Sequence, residues 1–200
     1  MGCYTAYPHS RGSIHITGPE WQDPCDFDSG FFKGEGKLDI KSHVWFYKVQ
    51  RELMRRTPMY RGEVAHLHPA FAPDSKAALV SLDKMRVFLN GAAENSNLYG
   101  SGDAKAPFEY SAEDDALIEQ HVRATVQTTW HSMGTCKMAP REEMGVVDAD
   151  LNVYGVQGLK VVDLSIPPHN VAGNTANTAF IIGEKGAEII LKEFGLQKEV

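Results

Sequence analysis

Leu159-Lys160-Val161-Val162-Asp163-Leu164-Ser165, followed by the two prolines Pro167 and Pro168 and by a long segment opening at Asn174, is the stretch that decides how this chain folds. The first part is a β-branched run entered from a glycine-bounded turn, Gly155 to Gly158, and its Val-Val centre suits a buried strand. The prolines interrupt it. From Asn174 onward Ala176, Phe180, Gly183, Ala187, Ile190 and Phe194 recur at steps of four and three until Gly195, which predicts a helix. Gly183 on that stripe predicts close backbone packing against a neighbour. A strand, a loop and a helix beginning at the strand's carboxyl end is where nucleotide ligands sit in open α/β sheets.

Working back toward the start, Ser111 is a good N-cap, with Glu113, Asp114 and Asp115 in the following turn, where the helix dipole favours negative charge. Leu117, Ile118 and Val122 supply the apolar face of a helix ending near Thr128. Ile40, Val44, Tyr47, Arg51 and Met54 mark another helix, from about Asp39 to Arg56, which stops at Thr57-Pro58. Ser10 to Pro19 alternates small or polar with apolar residues and reads as a short strand. Between about Ala72 and Pro107 the pattern weakens: Ala77 to Leu89 suits a short helix and Asn90 to Lys105 a loop or edge segment.

The 200 residues, 42% hydrophobic, are enough to bury a real core. The net charge of -6 is spread along the chain, which argues against a nucleic-acid partner. There is no apolar run of membrane-spanning length and no basic-then-apolar start. Cys3, Cys25 and Cys136 are odd in number and widely spaced, as free thiols of a reducing compartment are.

Several residues have the chemistry of a site. His131 stands in Thr128-Thr129-Trp130-His131-Ser132-Met133-Gly134-Thr135-Cys136, where an aromatic neighbour and a glycine suit an imidazole held at a cavity wall as a general base. Periodicity alone favours the plainer alternative, that Trp130 and His131 pack a sheet edge. His66 and His68 would share one side of a strand, yet no further ligands accompany them, and Cys25 and Cys136 lack zinc-site spacing, so no metal is expected. Cys136 reads as a buried structural thiol. Asn174 and Thr175 cap the last helix, whose bare amides favour an anion or an electron-rich carbonyl.

Trp130 to Met138, Gly145-Val146-Val147-Asp148, Leu151 to Ser165, and Gly173-Asn174-Thr175 through Ile182-Gly183-Glu184-Lys185 together resemble the C-terminal part of the glucose-methanol-choline (GMC) oxidoreductases. Ser10-Arg11-Gly12-Ser13 with Phe27-Asp28 resembles the family's substrate-domain strand. Within the family the likeness is to the alcohol (methanol) oxidases of fungi, on the Trp-His-Ser and Gly-Thr-Cys phrase, Pro140-Arg141-Glu142, and an asparagine where other members carry a second histidine.

The resemblance implies a mixed α+β fold: a GMC-type substrate domain with an antiparallel sheet and helices over residues 1–154, then the last strand and helix of an FAD-binding α/β domain over 155–200. It implies FAD as cofactor and oxidation of a small primary alcohol to an aldehyde by hydride transfer to flavin. His131 would be the base and Asn174 the donor that stabilises the alkoxide. Asp163 and Leu164 would meet the dinucleotide, and Thr175 and Ala176 would open the helix that faces the flavin. O2 is an implied acceptor, a homo-oligomer an implied assembly, and an intracellular site, cytoplasmic or peroxisomal, an implied location, although Gln197-Lys198-Glu199-Val200 is not a Ser-Lys-Leu address. The family's glycine-rich dinucleotide turn is not in these residues, so the N-terminal FAD-binding portion would be a missing partner. The alternative is a truncated, non-catalytic homologue that binds no flavin alone.

Overall fold

The structure is a computed structural model, and it describes residues 2–57, 60, 62–79 and 106–196. The chain divides into two compact units, Met1–Thr5 with Gly34–Gln127 and Ala6–Lys33 with Thr128–Val200. Among the described residues no helix is long and apolar enough to cross a membrane.

The first unit is built on two helices, α1 (Lys37–Arg55) and α2 (Ala112–Thr125), which pack on each other. α2 begins as its sequence demands. The Ser111 hydroxyl accepts from the Asp114 amide at 3.1 Å and the Asp114 carboxylate accepts from the Ser111 amide at 2.9 Å, a reciprocal capping box. The helix stops at Thr125, three residues short of the expected end, where Val126 turns to extended backbone. Ile118 and Val122 are buried as the stripe predicted. On α1, Ile40 and Arg51 are buried, while Met54 is exposed and Arg55 takes its place in the interior.

Arg51 is the surprise of this unit. Its guanidinium donates to both oxygens of buried Glu63, at 2.6 and 2.8 Å, and to the Ala77 carbonyl at 3.0 Å, and lies 4.1 Å from the Phe108 ring centre. Desolvation works against its charge, but the hydrogen bonds and charge of Glu63 outweigh it and hold Arg51 protonated well above its ordinary range. His66 and His68 do not share a strand. Ala65–Leu67 is a single 3-10 turn, and His68 leaves it with its Nδ1 2.8 Å from the Tyr47 hydroxyl. Of the segment Ala77 to Lys105, residues 77–79 are not helical and the rest lies outside the described residues.

In the second unit β1 (Ser13–His15) pairs antiparallel with β2 (Asp26–Asp28), Ile14 opposite Phe27. The strand read over Ser10 to Pro19 is therefore only three residues long. Gly30 closes the ribbon at φ +64°, and a Cβ there would stand 1.8 Å from the Arg11 carbonyl oxygen, so no other residue fits.

The remainder of the unit is a set of short bridges rather than a sheet. Met138 pairs with Val147, Val147 with Val153, and Asn152 with Lys160. Leu159–Ser165 is consequently not a continuous strand. Its first half pairs toward 151–153 and its second half toward 134–138, and the chain turns at Asp163 between them. Val147, Leu151 and Ile166 form the core, with Val161, Val162, Ile182 and Ile189 packed against it.

α3 (Ala176–Glu193) covers that core with a face other than the one the periodicity selected. Phe180 and Phe194 are 75% and 71% exposed, whereas Ile182, Gly186 and Ile189 face the core. Glu184, Lys185, Glu188 and Lys192 mark a polar side, but the apolar residues outside it admit more than one stripe, and shape decides. A Cβ on Gly186 would stand 2.1 Å from Val162 Cγ1, whereas one on Gly183 would meet nothing within 4 Å. Close packing is thus the property of Gly186, not Gly183.

Candidate active site

An open cleft of about 390 Å³ lies in the second unit. One wall is Ser132, Met133 and Thr135, the other is Val162 to Ser165, and Ala179 of α3 closes one side. The walls are joined by backbone hydrogen bonds from Gly134 to the Leu164 carbonyl (3.2 Å), from Cys136 to that of Ser165 (2.9 Å) and from Met138 to that of Ile166 (2.7 Å). Gly134, at φ +86°, lets the chain turn within its wall.

His131 directly precedes this wall in the chain. It is half-buried, and its Nδ1 is closed off from solvent with no hydrogen-bond partner among the described residues. Any proton the ring exchanges with a substrate must therefore pass through Nε2. Trp130 before it sits at φ +56° and is 81% exposed, an unusual conformation for a bulky side chain, with its amide held by the Thr128 hydroxyl at 3.0 Å.

At the head of α3 the Asn174 side-chain oxygen accepts from the Ala176 amide at 2.9 Å. Asn174 thus does the capping, and Thr175, buried, makes no side-chain cap. With its oxygen engaged, the Asn174 side chain has its NH₂ end left to donate. The amides of Asn177 and Thr178, in the first turn, have no acceptor within the helix.

Asp163 carries a carboxylate held below its ordinary range by hydrogen bonds from the Ser165 side chain and amide, the amide at 2.7 Å. Asp163 and Leu164 line the cleft, whereas His131, Asn174, Thr175 and Ala176 border its segments without forming its walls, and no hydrogen bond joins His131 to Asn174 among the described residues. The sequence reading had not singled out Ser132, Met133, Thr135, Ser165 or Ala179. Their signal was position: three follow His131, one follows Asp163, and one lies a helical turn beyond Thr175.

His66 and His68 lie in the other unit, and among the described residues no group of three or more His, Cys, Asp or Glu is placed to hold a metal ion. The arrangement fits a flavin better than a metal. Asp163 and Leu164 line the cleft, Ala179 offers a small apolar contact, and the His131 Nδ1 is a buried polar atom with no hydrogen-bond partner among the described residues.

The chain is similar in sequence to known proteins. The chain is 39% identical to an alcohol oxidase of Pichia angusta over 96% of its length and 33% of that protein's. It is 38% identical to alcohol oxidase 1 of Komagataella phaffii over 98% of its length and 34% of that protein's. The chain spans about a third of the length of these curated relatives. An FAD-dependent oxidoreductase from Chaetomium thermophilum shares the fold, with a TM-score of 0.63 at 23% identity, over 96% of this chain and 26% of that one. The C-terminal model described as GMC oxidoreductase matches residues 8–183, and the chain belongs to the GMC oxidoreductase family.

Proposed function

We propose that this chain forms the substrate-side portion of an FAD-dependent oxidase of small primary alcohols, with O2 as the electron acceptor. Residues 1–154 would form the substrate region and residues 155–200 would rejoin the flavin domain. The observation that carries the reading is the cleft itself, in which the segment following His131 is hydrogen-bonded to the Asp163–Leu164 wall.

His131 acts as the base. Oxidation of an alcohol removes the hydroxyl proton as a hydride leaves the carbon, and an imidazole presenting Nε2 takes that proton. Asn174 donates from its NH₂ end to the oxygen as it becomes an alkoxide, since its carbonyl oxygen is already engaged by the helix. FAD, when bound, supplies the hydride acceptor. The backbone at Asp163 and Leu164 would hold the dinucleotide, and the α3 amino end at Thr175 and Ala176 would favour negative charge on the cofactor.

The test is to join this chain to a flavin-binding domain from its fungal relatives, purify the product, and mix it anaerobically with methanol or another short primary alcohol. Retained flavin that bleaches on mixing is the expected result. A product that never retains flavin would instead make the chain a non-catalytic homologue.

A further inference from the structure

We propose that Asp163 and Ser165 are positioning residues, whose side-chain turn holds the His131-bearing segment in register with the cleft wall. The inference rests on the reading of His131 as base.

The Asp163 carboxylate accepts from the Ser165 amide at 2.7 Å and from the Ser165 side chain. The Asp163 carbonyl accepts from the Ile166 amide at 3.2 Å. One residue thus fixes the conformation of the three that follow it. Those three, Leu164, Ser165 and Ile166, are also the residues whose carbonyls accept from Gly134, Cys136 and Met138. The turn and the ladder share the same backbone, so loosening one loosens the other. His131 stands three residues before the first rung, and among the described residues the hydrogen bond that holds the backbone beside it is the one from the Trp130 amide to the Thr128 hydroxyl. Its placement relative to the wall therefore depends on the ladder, and the ladder depends on the turn.

Asp163 is exposed, and its Oδ1 is engaged by the Ser165 amide. Its hydrogen bonds lie within its own turn, as in other Asx turns.

Amide hydrogen exchange by NMR, on the chain as it stands, tests this. Asp163→Ala should speed exchange at Gly134 and Cys136 roughly tenfold or more, the scale for losing a hydrogen bond to a charged group, with Val153 and Tyr154 unchanged. Asp163→Asn, whose carbonyl oxygen still accepts from the Ser165 amide, should restore near-original protection. Ser165→Ala, a smaller perturbation that keeps the fold if Asp163→Ala does not, should speed the same amides a few-fold. In the flavin-loaded protein, Asp163→Ala should slow flavin reduction about tenfold on its own but add nothing to His131→Ala. Unchanged or uniformly raised exchange, or a rate loss that adds fully to that of His131→Ala, overturns the proposal. A His131→Ala variant that reduces flavin normally overturns the reading beneath it, and the exchange result stands apart from that outcome.

Discussion

Two glycines three residues apart on α3 should respond to alanine in opposite directions. Gly183 and Gly186 both lie inside the helix, where glycine costs up to about 1 kcal/mol relative to alanine through backbone entropy. At Gly183 a Cβ meets nothing within 4 Å, so Gly183→Ala should stabilise the chain by about 0.5–1 kcal/mol. At Gly186 the same gain is opposed by a Cβ placed 2.1 Å from Val162 Cγ1. Val162 is β-branched and part of the core under the helix, so it cannot swing aside freely, and relieving such an overlap costs about 1–3 kcal/mol. Gly186→Ala should therefore destabilise by about 1 kcal/mol. Val162→Ala removes Cγ1 and leaves the Val162 Cβ position at 3.4 Å, an ordinary contact. In that background Gly186→Ala should become favourable, a coupling of about 2 kcal/mol in the double-mutant cycle. Urea denaturation of the four variants, with midpoints compared at constant slope, is the assay. The packing argument fails if Gly186→Ala stabilises as much as Gly183→Ala, or if the cycle closes to within about 0.5 kcal/mol.

Glu63→Ala should cost about 3–5 kcal/mol, because it strands the buried Arg51 charge, and chemical denaturation should show this as the largest loss among single changes in the first unit. Ser111→Ala should lower stability by about 1 kcal/mol by opening the α2 capping box, read as a fall in melting temperature. Burial raises the Asp114 carboxyl, but hydrogen bonds from Ser111 and Ser75 outweigh it and leave the group below its ordinary range. Its contribution is thus complete above the unfolded value near 3.9 and is lost as pH falls through the lower folded value, so Asp114→Asn should flatten the acid limb of a stability-pH curve. Burial also pushes the His68 imidazole down, so the folded chain binds that proton less readily than the unfolded chain. Stability from this group is present above about pH 6.5 and falls below it, and His68→Gln should remove that slope.

What was legible in the sequence was whatever local chemistry fixes. Ser111 with Asp114 specifies a helix start within four residues, and Thr57-Pro58 stops α1, so both helices were read almost to their ends. The phrase around His131 and the run at Asp163 led to the two walls of one cleft. Illegible features were those set by contact between distant segments. Leu159–Ser165 has strand composition, yet an Asx turn at Asp163 divides its partners, and a β-branched run does not announce which neighbour each half will find. The face of α3 was hard to read because Phe180, Ile181 and Phe194 are exposed apolar residues outside the core-facing stripe, so apolar spacing alone admits more than one face even though Glu184, Lys185, Glu188 and Lys192 mark a polar side. Arg51 sat on the predicted apolar stripe of α1, but only the fold brings it Glu63, twelve residues on, and Phe108.

The central claim is that His131 is the base of an alcohol-oxidising flavin site, and stopped-flow reduction of bound flavin by a short primary alcohol tests it most directly. In a flavin-loaded protein carrying this chain, His131→Ala should slow reduction by roughly 10²- to 10⁴-fold while flavin stays fully bound, the usual contribution of a positioned base. Asn174→Ala should slow it by about 10²-fold, through loss of one donor to the alkoxide. His66→Ala, a change in the other unit, should leave the rate as it was. Reduction at the unsubstituted rate in His131→Ala, at full flavin occupancy, would contradict the account.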